Sequence, residues 1–228
     1  GDSKRIQKFA VLYGPPGSGK STVLNILELL FQGYTTTFDA GALGSKSDQF
    51  ATSSLGKSSL VAIDQDGDLS RIESNGLLNS IVAHETILIN EKGVRRYPKR
   101  INAILFVGTN KPVKITDSKS GIIRRLIDIS PTGNKLDVSE YQTLMTQVRD
   151  ELGKIANHCL GVYRSLGKHY YDAYKPQDMM MKTNVLYNFV EENYLLFKTE
   201  EYITLTMAYK LYKEYCDESN IPYPKSRY

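Results

Sequence analysis

Hydrophobic positions cluster into a few short continuous runs rather than alternating along the chain. Lys8 to Tyr13 reads KFAVLY, Leu60 to Ile63 reads LVAI, and Ile101 to Gly108 reads INAILFVG. Unbroken apolar runs of this length predict strands buried on both faces, the mark of a parallel sheet. Between the first two, Ser21 to Phe31 carries Val23, Leu24, Ile26, Leu27, Leu29 and Leu30 at helical spacing. Asp68 to His84 predicts a short helix. Ile87 to Ile89 and Val94 to Tyr97, with a turn near Lys92-Gly93, predict a hairpin. Residues 33–59 are rich in Gly, Ser and Thr and carry weak element signals. Near residue 131 the texture changes: Pro131-Thr132-Gly133-Asn134 is a turn cluster, and from Ser139 onward the pattern is mostly helical. The expected fold class is α/β, a parallel sheet flanked by helices, followed by a helical C-terminal subdomain. The expected division is 1–131 for the α/β part and 132–228 for the helical part. There is no internal repeat and no low-complexity segment.

The 228 residues are 41% hydrophobic and 24% charged, an ordinary globular balance. No apolar run approaches the roughly 20 residues of a membrane span. No leader pattern precedes the first strand. Cys159 and Cys216 are far apart in helical patterns, so a reduced, cytoplasmic setting is expected rather than a disulfide framework. Gly1 in place of Met, and an end at Lys225-Ser226-Arg227-Tyr228 without a helix stop, read as the ends of an excised fragment.

Charge changes the picture locally. The formal net charge is +4, and EKGVRRYPKR at 91–100 alone carries that excess, with Lys92, Arg95, Arg96, Lys99 and Arg100 against Glu91. A solvated hairpin is the bland reading. A track for phosphates is the functional one, with little sequence specificity because no base-reading motif accompanies it. Thirteen of the sixteen tyrosines fall at or beyond Tyr141. They read as packing residues, with base stacking as the alternative. His84-Glu85 could form an acid–base pair and reads first as structural.

The chemistry starts at Gly14-Pro15-Pro16-Gly17-Ser18-Gly19-Lys20-Ser21, followed by Thr22. This is G-x-x-x-x-G-K-[ST] between a strand and a helix. Such a loop wraps a phosphate with backbone N–H groups at a helix N-terminus. Lys20 can then reach the β- and γ-phosphates of ATP, and the Ser21 hydroxyl can ligate Mg2+. Asp64 ends an apolar strand 44 positions after Lys20 and is the second expected metal residue. Gln65 stands where a base or water-orienting acid is expected. It keeps shape and hydrogen bonding but has no basicity, a loss of roughly 10²–10⁴-fold in rate. Three accounts stay open, in this order: a glutamate exchanged for Gln65 so that ATP is trapped, use of Asp66 instead, or an inactive subunit. Asn110 ends the strand ILFVGTN and is a candidate γ-phosphate sensor. Arg124-Arg125 precede an alternating apolar strand and could stabilise phosphoryl transfer in a neighbouring subunit.

The order GPPGSGKST, LVAIDQD, a hairpin, ILFVGTNKP and GIIRRLIDI resembles the superfamily 3 helicases, nearest to the phage, plasmid and poxvirus primase-helicases. The resemblance covers residues 8–131 and extends loosely over 139–228. It implies a P-loop, AAA+-type ATPase with a helical lid, acting as a hexameric ring on single-stranded or forked DNA, with a primase domain expected in the longer protein and a host cytoplasm as the setting. Residue by residue it implies Gly14 to Thr22 for the nucleotide, Asp64 for the metal and Asn110 as sensor. It favours Arg125 over Arg124 as the arginine finger. It makes residues 87–100 the pore hairpin, with Lys92 central and Arg95, Arg96 and Lys99 in support. The alternative is an AAA+ replication initiator or loader that uses ATP as an assembly switch. A small-molecule phosphotransferase fits the loop but leaves Asn110, the arginines and the hairpin unexplained.

Overall fold

The computed structural model describes residues 3–218 apart from Lys46, Arg71, Glu73, 114–120, Asn134, Glu200 and Glu201. The strands are β1 Phe9–Tyr13, β2 Thr35–Thr37, β3 Val61–Asp64, β4 Thr86–Ile89, β5 Tyr97–Arg100, β6 Ile104–Thr109 and β7 Leu126–Ile129. The helices are α1 Ser3–Ile6, α2 Lys20–Leu30, α3 Ala40–Gly44, α4 Gly76–Val82, α5 Val138–Asp150, α6 Leu152–Ser165, α7 Gln177–Lys182, α8 Val185–Glu192, α9 Tyr194–Thr199 and α10 Leu205–Glu218. Two compact units divide the chain, the first through Gln177 and the second from Asp178. The change of texture near 131 therefore marks the end of the sheet, while α5 and α6 remain within the first unit.

Five strands form one sheet in the order β2-β3-β6-β1-β7, every pair parallel. β1 is buried along Phe9 to Leu12, and β3 along Val61 to Ile63. Their apolar side chains point alternately to both faces, and both faces are covered. β2 is three threonines at the sheet edge, half-exposed, where β-branched polar side chains fit. α2 lies on the sheet through Leu24, fully buried against Leu12, Val61 and Ile63, with Leu27 beside it. Gly108 in β6 permits a close approach. A Cβ there would lie 2.7 Å from the Gln65 carbonyl oxygen and 3.0 Å from Leu24 Cδ1. The turn after β3 presses on this point, and Gly67 N–H donates to the Gly108 carbonyl at 2.8 Å.

Two element boundaries differ from the sequence reading. The helix expected over 68–84 is confined to Gly76–Val82. Asp68 instead accepts from the Ser70 N–H and hydroxyl, a local turn that competes with helix. The hairpin's second strand is Tyr97–Arg100 rather than 94–97, with Ile87 opposite Lys99 and Ile89 opposite Tyr97. Gly93 takes φ +79 in the intervening loop. His84 is buried, and its Nδ1 lies 2.6 Å from the Ile101 carbonyl oxygen, a structural contact.

In the second unit Phe189 is buried with Tyr212 and Cys216 and meets Phe197, Tyr212 and Tyr215 at centroid distances of 5.4–5.8 Å. In the first unit Tyr163, Tyr170, Tyr171 and Tyr174 form a chain of edge and tilted ring contacts. These tyrosines pack against other rings. The expectation about the chain end at 225–228 lies outside the described residues. Among the described residues no helix is long and apolar enough to cross a membrane.

Candidate functional site

The Gly14–Thr22 loop leaves the C-terminal end of β1 and enters α2 at Lys20. Gly17 and Gly19 take φ +78 and +92, conformations a side chain would strain. Lys20 is buried in the first turn of α2. Its Nζ donates to the carbonyls of Gly14 at 2.8 Å and Pro15 at 2.9 Å, and to Asn110 Oδ1 at 2.7 Å. Ser18 is buried in the loop, and Ser21 and the Pro15-Pro16 pair are exposed on it. Asn110 reaches Lys20 because β6 is the parallel neighbour of β1, with Tyr13 level with Thr109. Burial lowers the Lys20 pKa, and the charge of Asp66 opposes that shift.

Asp64 ends β3 on the other side of β6. Its Oδ2 accepts from Ala40 N–H at 2.7 Å and its Oδ1 from Asp66 N–H at 3.2 Å. Burial raises its pKa, the two N–H groups oppose this, and the charges of Asp39 and Asp66 add to the rise. Each oxygen keeps a free lone pair on a desolvated carboxylate, a donor set that fits a hard, partly hydrated cation such as Mg2+. Gln65 faces elsewhere. Its Nε2 donates to Asn25 Oδ1 on α2 at 3.0 Å, and its Oε1 is buried without a hydrogen bond among the described residues. Asp66 is exposed, and its charge acts on both Lys20 and Asp64. Lys20, Asp64, Asp66 and Asn110 thus gather at the C-terminal ends of adjacent parallel strands, where open α/β sheets bind ligands.

The arginines stand at the other end. Arg124 and Arg125 precede β7, whose Leu126 pairs with Phe9 at the start of β1. The length of β1, four steps of roughly 3.3 Å each, separates them from their own glycine loop. The two differ in access. Arg125 is 8% exposed, donates to the Gly121 carbonyl at 3.1 Å and has a buried Nε without a partner among the described residues. Its pKa is lowered by burial and by Arg124. Arg124 is exposed, and its carbonyl accepts from Lys8 Nζ at 2.5 Å. The side chain free to meet another molecule is Arg124, not the Arg125 favoured from sequence.

The basic hairpin also divides. Lys92, Arg95 and Arg96 lie in the exposed loop between β4 and β5. Lys99 lies on β5 and donates to the Gly56 carbonyl at 2.6 Å, so it anchors the hairpin to residues 53–58. Tyr97 hydroxyl donates to Glu91 Oε1 at 2.6 Å, and Asn90 Nδ2 donates to the Gln49 carbonyl at 2.6 Å. A charged loop is thus presented on a pinned stem. Two residues near the site were not singled out from sequence. One is Asn25, the partner of Gln65. The other is Lys135, whose Cε would lie 3.1 Å from a Cβ on Gly17. Neither sits in a local pattern that marks it.

The profile of a family described as "Family of unknown function (DUF5906)" matches residues 12–125, half of the chain. The chain belongs to this family. The DUF5906 span holds the glycine loop, Asp64, the hairpin, Asn110 and both arginines, and it stops one residue before β7. No curated protein matches the sequence. Among solved structures, the A-form apo structure of the NrS-1 C-terminal region is 19% identical, with a TM-score of 0.48, over 65% of this chain and 35% of that one. The apo structure of NrS-1 C-terminal region 305–718 is 14% identical, with a TM-score of 0.49, over 92% and 54%. A JCV helicase bound to a thiazolopyridine acetamide is 13% identical, with a TM-score of 0.38, over 79% and 58%. The DUF5906 chain spans about a third of the length of the first of these. At these identities and scores the likeness carries no residue role across.

Proposed function

We propose that this chain is the ATP-hydrolysing motor core of a DNA helicase and works as one subunit of a ring. The observation that carries this reading is the division of polar chemistry between the two ends of one sheet. Lys20, Asp64, Asp66 and Asn110 gather at one end, and Arg124 projects at the other. An arginine that cannot reach its own glycine loop is useful to phosphoryl transfer only in a neighbour's site. That requires subunits set head to tail, and such contacts close into a ring when the rotation between subunits brings the last back to the first.

In this reading the Gly14–Thr22 loop wraps the triphosphate, and Lys20 leaves the loop carbonyls for the phosphates. Asn110, bonded to Lys20 beforehand, turns to the terminal phosphate. Asp64 with Ser21 would hold Mg2+, which supplies charge neutralisation between the phosphates when bound. Asp66, an exposed acid whose charge acts on both Lys20 and Asp64, supports this reading as the residue that receives a proton from water. Lys92, Arg95 and Arg96 on the hairpin loop meet the phosphates of single-stranded or forked DNA in the ring's pore. A hexamer and a companion primase domain belong to the same reading.

The test is a mixing experiment. Lys20→Ala and Arg124→Ala variants are each expected to lose ATP hydrolysis. Mixed subunits regain part of it on DNA, because some interfaces then combine an intact loop with an intact arginine. Two inactive proteins whose mixture stays inactive, beside a wild type that hydrolyses ATP, would remove the shared site. A wild type that binds ATP and assembles but never separates strands would point to the loader instead.

A further inference from the structure

The chain beyond β7 returns to the glycine loop, because β7 is the parallel neighbour of β1 and Leu12 is level with Ile129. Pro131 comes two residues after Ile129. A Cβ on Gly14 would lie 3.8 Å from Pro131 Cδ, and one on Gly17 would lie 3.1 Å from Lys135 Cε and 3.6 Å from Lys135 Nζ. Lys135 therefore crosses the glycine loop with its ammonium over the turn. It is exposed and makes no hydrogen bond or ion pair among the described residues.

Next to it stand Leu136, 50% exposed, and Val138, 74% exposed, with Tyr141 half-buried one turn further on. With the loop they bound a cleft of about 690 Å³, within the range of small-molecule sites. The one acid that lines this cleft among the described residues is committed elsewhere. Asp137 accepts from Glu140 N–H at 2.8 Å and Ser139 hydroxyl at 2.7 Å as the cap of α5. Apart from the hydroxyls of Thr132 and Tyr141, the described side chains lining this side of the cleft offer apolar faces and one cation. Exposed apolar side chains beside a phosphate-shaped loop fit the flat face of a base attached to that phosphate.

We propose that Pro131, Thr132, Lys135, Leu136, Val138 and Tyr141 form the second wall of the nucleotide site, with Lys135 on the polyphosphate beside Lys20 and Leu136, Val138 and Tyr141 covering the base. The inference rests on reading Gly14–Thr22 as a phosphate loop, and the wall lies outside the 12–125 family span. Its consequence is a substrate class. A surface that covers a base without matched donors and acceptors accepts nucleoside triphosphates with little regard to the base, whereas a site that bonds the base edge rejects wrong ones by roughly 10⁴-fold or more.

The experiment titrates the full chain and three variants, Lys20→Ala, Lys135→Ala and Val138→Asp, with a fluorescent ATP analogue, and competes it with ATP, GTP and CTP. Lys135 and Val138 are exposed, so circular dichroism and thermal unfolding should match wild type. The expected result is about tenfold weaker binding for Lys135→Ala and for Val138→Asp. GTP and CTP should compete within about tenfold of ATP. If Lys20→Ala abolishes binding while Lys135→Ala and Val138→Asp bind as wild type, the second wall is wrong and the phosphate loop stands. Discrimination above about 10³-fold among the three nucleotides would overturn the open base site. If Lys20→Ala binds as tightly as wild type, the phosphate loop itself fails and the second wall falls with it.

Discussion

Gln65→Glu and Asp66→Asn together test which residue beside Asp64 acts on water. Gln65 donates its amide to Asn25 Oδ1 at 3.0 Å, and its Oε1 is buried with no hydrogen bond among the described residues. A glutamate there places one oxygen against an acceptor until Asn25 turns its amide over. The other oxygen inherits the orphaned position of Oε1 and now shares a negative charge. An unsatisfied buried acceptor costs about 1–3 kcal/mol, and more when charged. Gln65→Glu is therefore expected to lose about 1–3 kcal/mol by urea unfolding at pH 7. Burial raises the folded-state pKa of such a carboxyl. Its penalty is thus absent below the unfolded value near 4.3 and grows as pH rises through the folded one. Loss at pH 7 should exceed loss at pH 4. In the same proteins, phosphate-release assays should show Asp66→Asn slower by about 10²–10⁴-fold, with nucleotide affinity retained. Gln65→Glu should stay within about tenfold of wild type. Asp66 is not the acid that acts on water if Gln65→Glu keeps wild-type stability and gains turnover by about a hundredfold or more. The side chain would then leave α2 for the site, and Gln65 would stand where a glutamate belongs.

Further outcomes follow from single contacts. Leu24 is fully buried against Leu12, Val61 and Ile63, so Leu24→Ala should cost about 2–5 kcal/mol in urea unfolding. Asn110→Ala removes one of the bonds to Lys20 while the Gly14 and Pro15 carbonyls remain. Stability should fall by no more than about 1 kcal/mol, while hydrolysis falls by about 10²-fold. Burial pushes the Asp68 pKa up, but hydrogen bonds from Lys111 and Ser70 outweigh it and hold the group at about 2. The stability this lends is full above the unfolded value near 3.9 and is lost as pH falls toward 2. Lys111→Ala should thus cost up to about 1 kcal/mol at pH 6, since the pair is exposed. Unfolding at pH 2 should show no difference. Replacing Lys92, Arg95 and Arg96 with Ala should flatten the salt dependence of single-stranded DNA binding by a slope of about 2.

The sheet was legible in the sequence because a parallel sheet buries both faces of its strands. Phe9–Tyr13, Val61–Asp64 and the core of Ile104–Thr109 could then be read as continuous apolar runs. The glycine loop was legible because its constraints are local: Gly17 and Gly19 need φ above zero, and Lys20 must open the next helix. Asp64 and Asn110 could be named because each ends such a run. The strand at Thr35–Thr37 and the shortened helix at Gly76–Val82 were not legible, since three edge threonines carry no period and Asp68 spends its carboxylate on a turn.

Direction and access were decided only in three dimensions. Nothing local distinguishes Arg124 from Arg125, yet one is exposed and the other is folded down onto Gly121. Lys99 reads like its basic neighbours until the register of β4 with β5 turns it to Gly56. Gln65 faces α2 because the turn after β3 is pressed against Gly108. Lys135 crosses the loop at Gly17 only because β7 lies beside β1, about 115 residues later in the chain. Local pattern specified which side chains could do chemistry. Strand order specified which of them meet, because contacts between residues so distant in sequence are set by how the sheet is assembled.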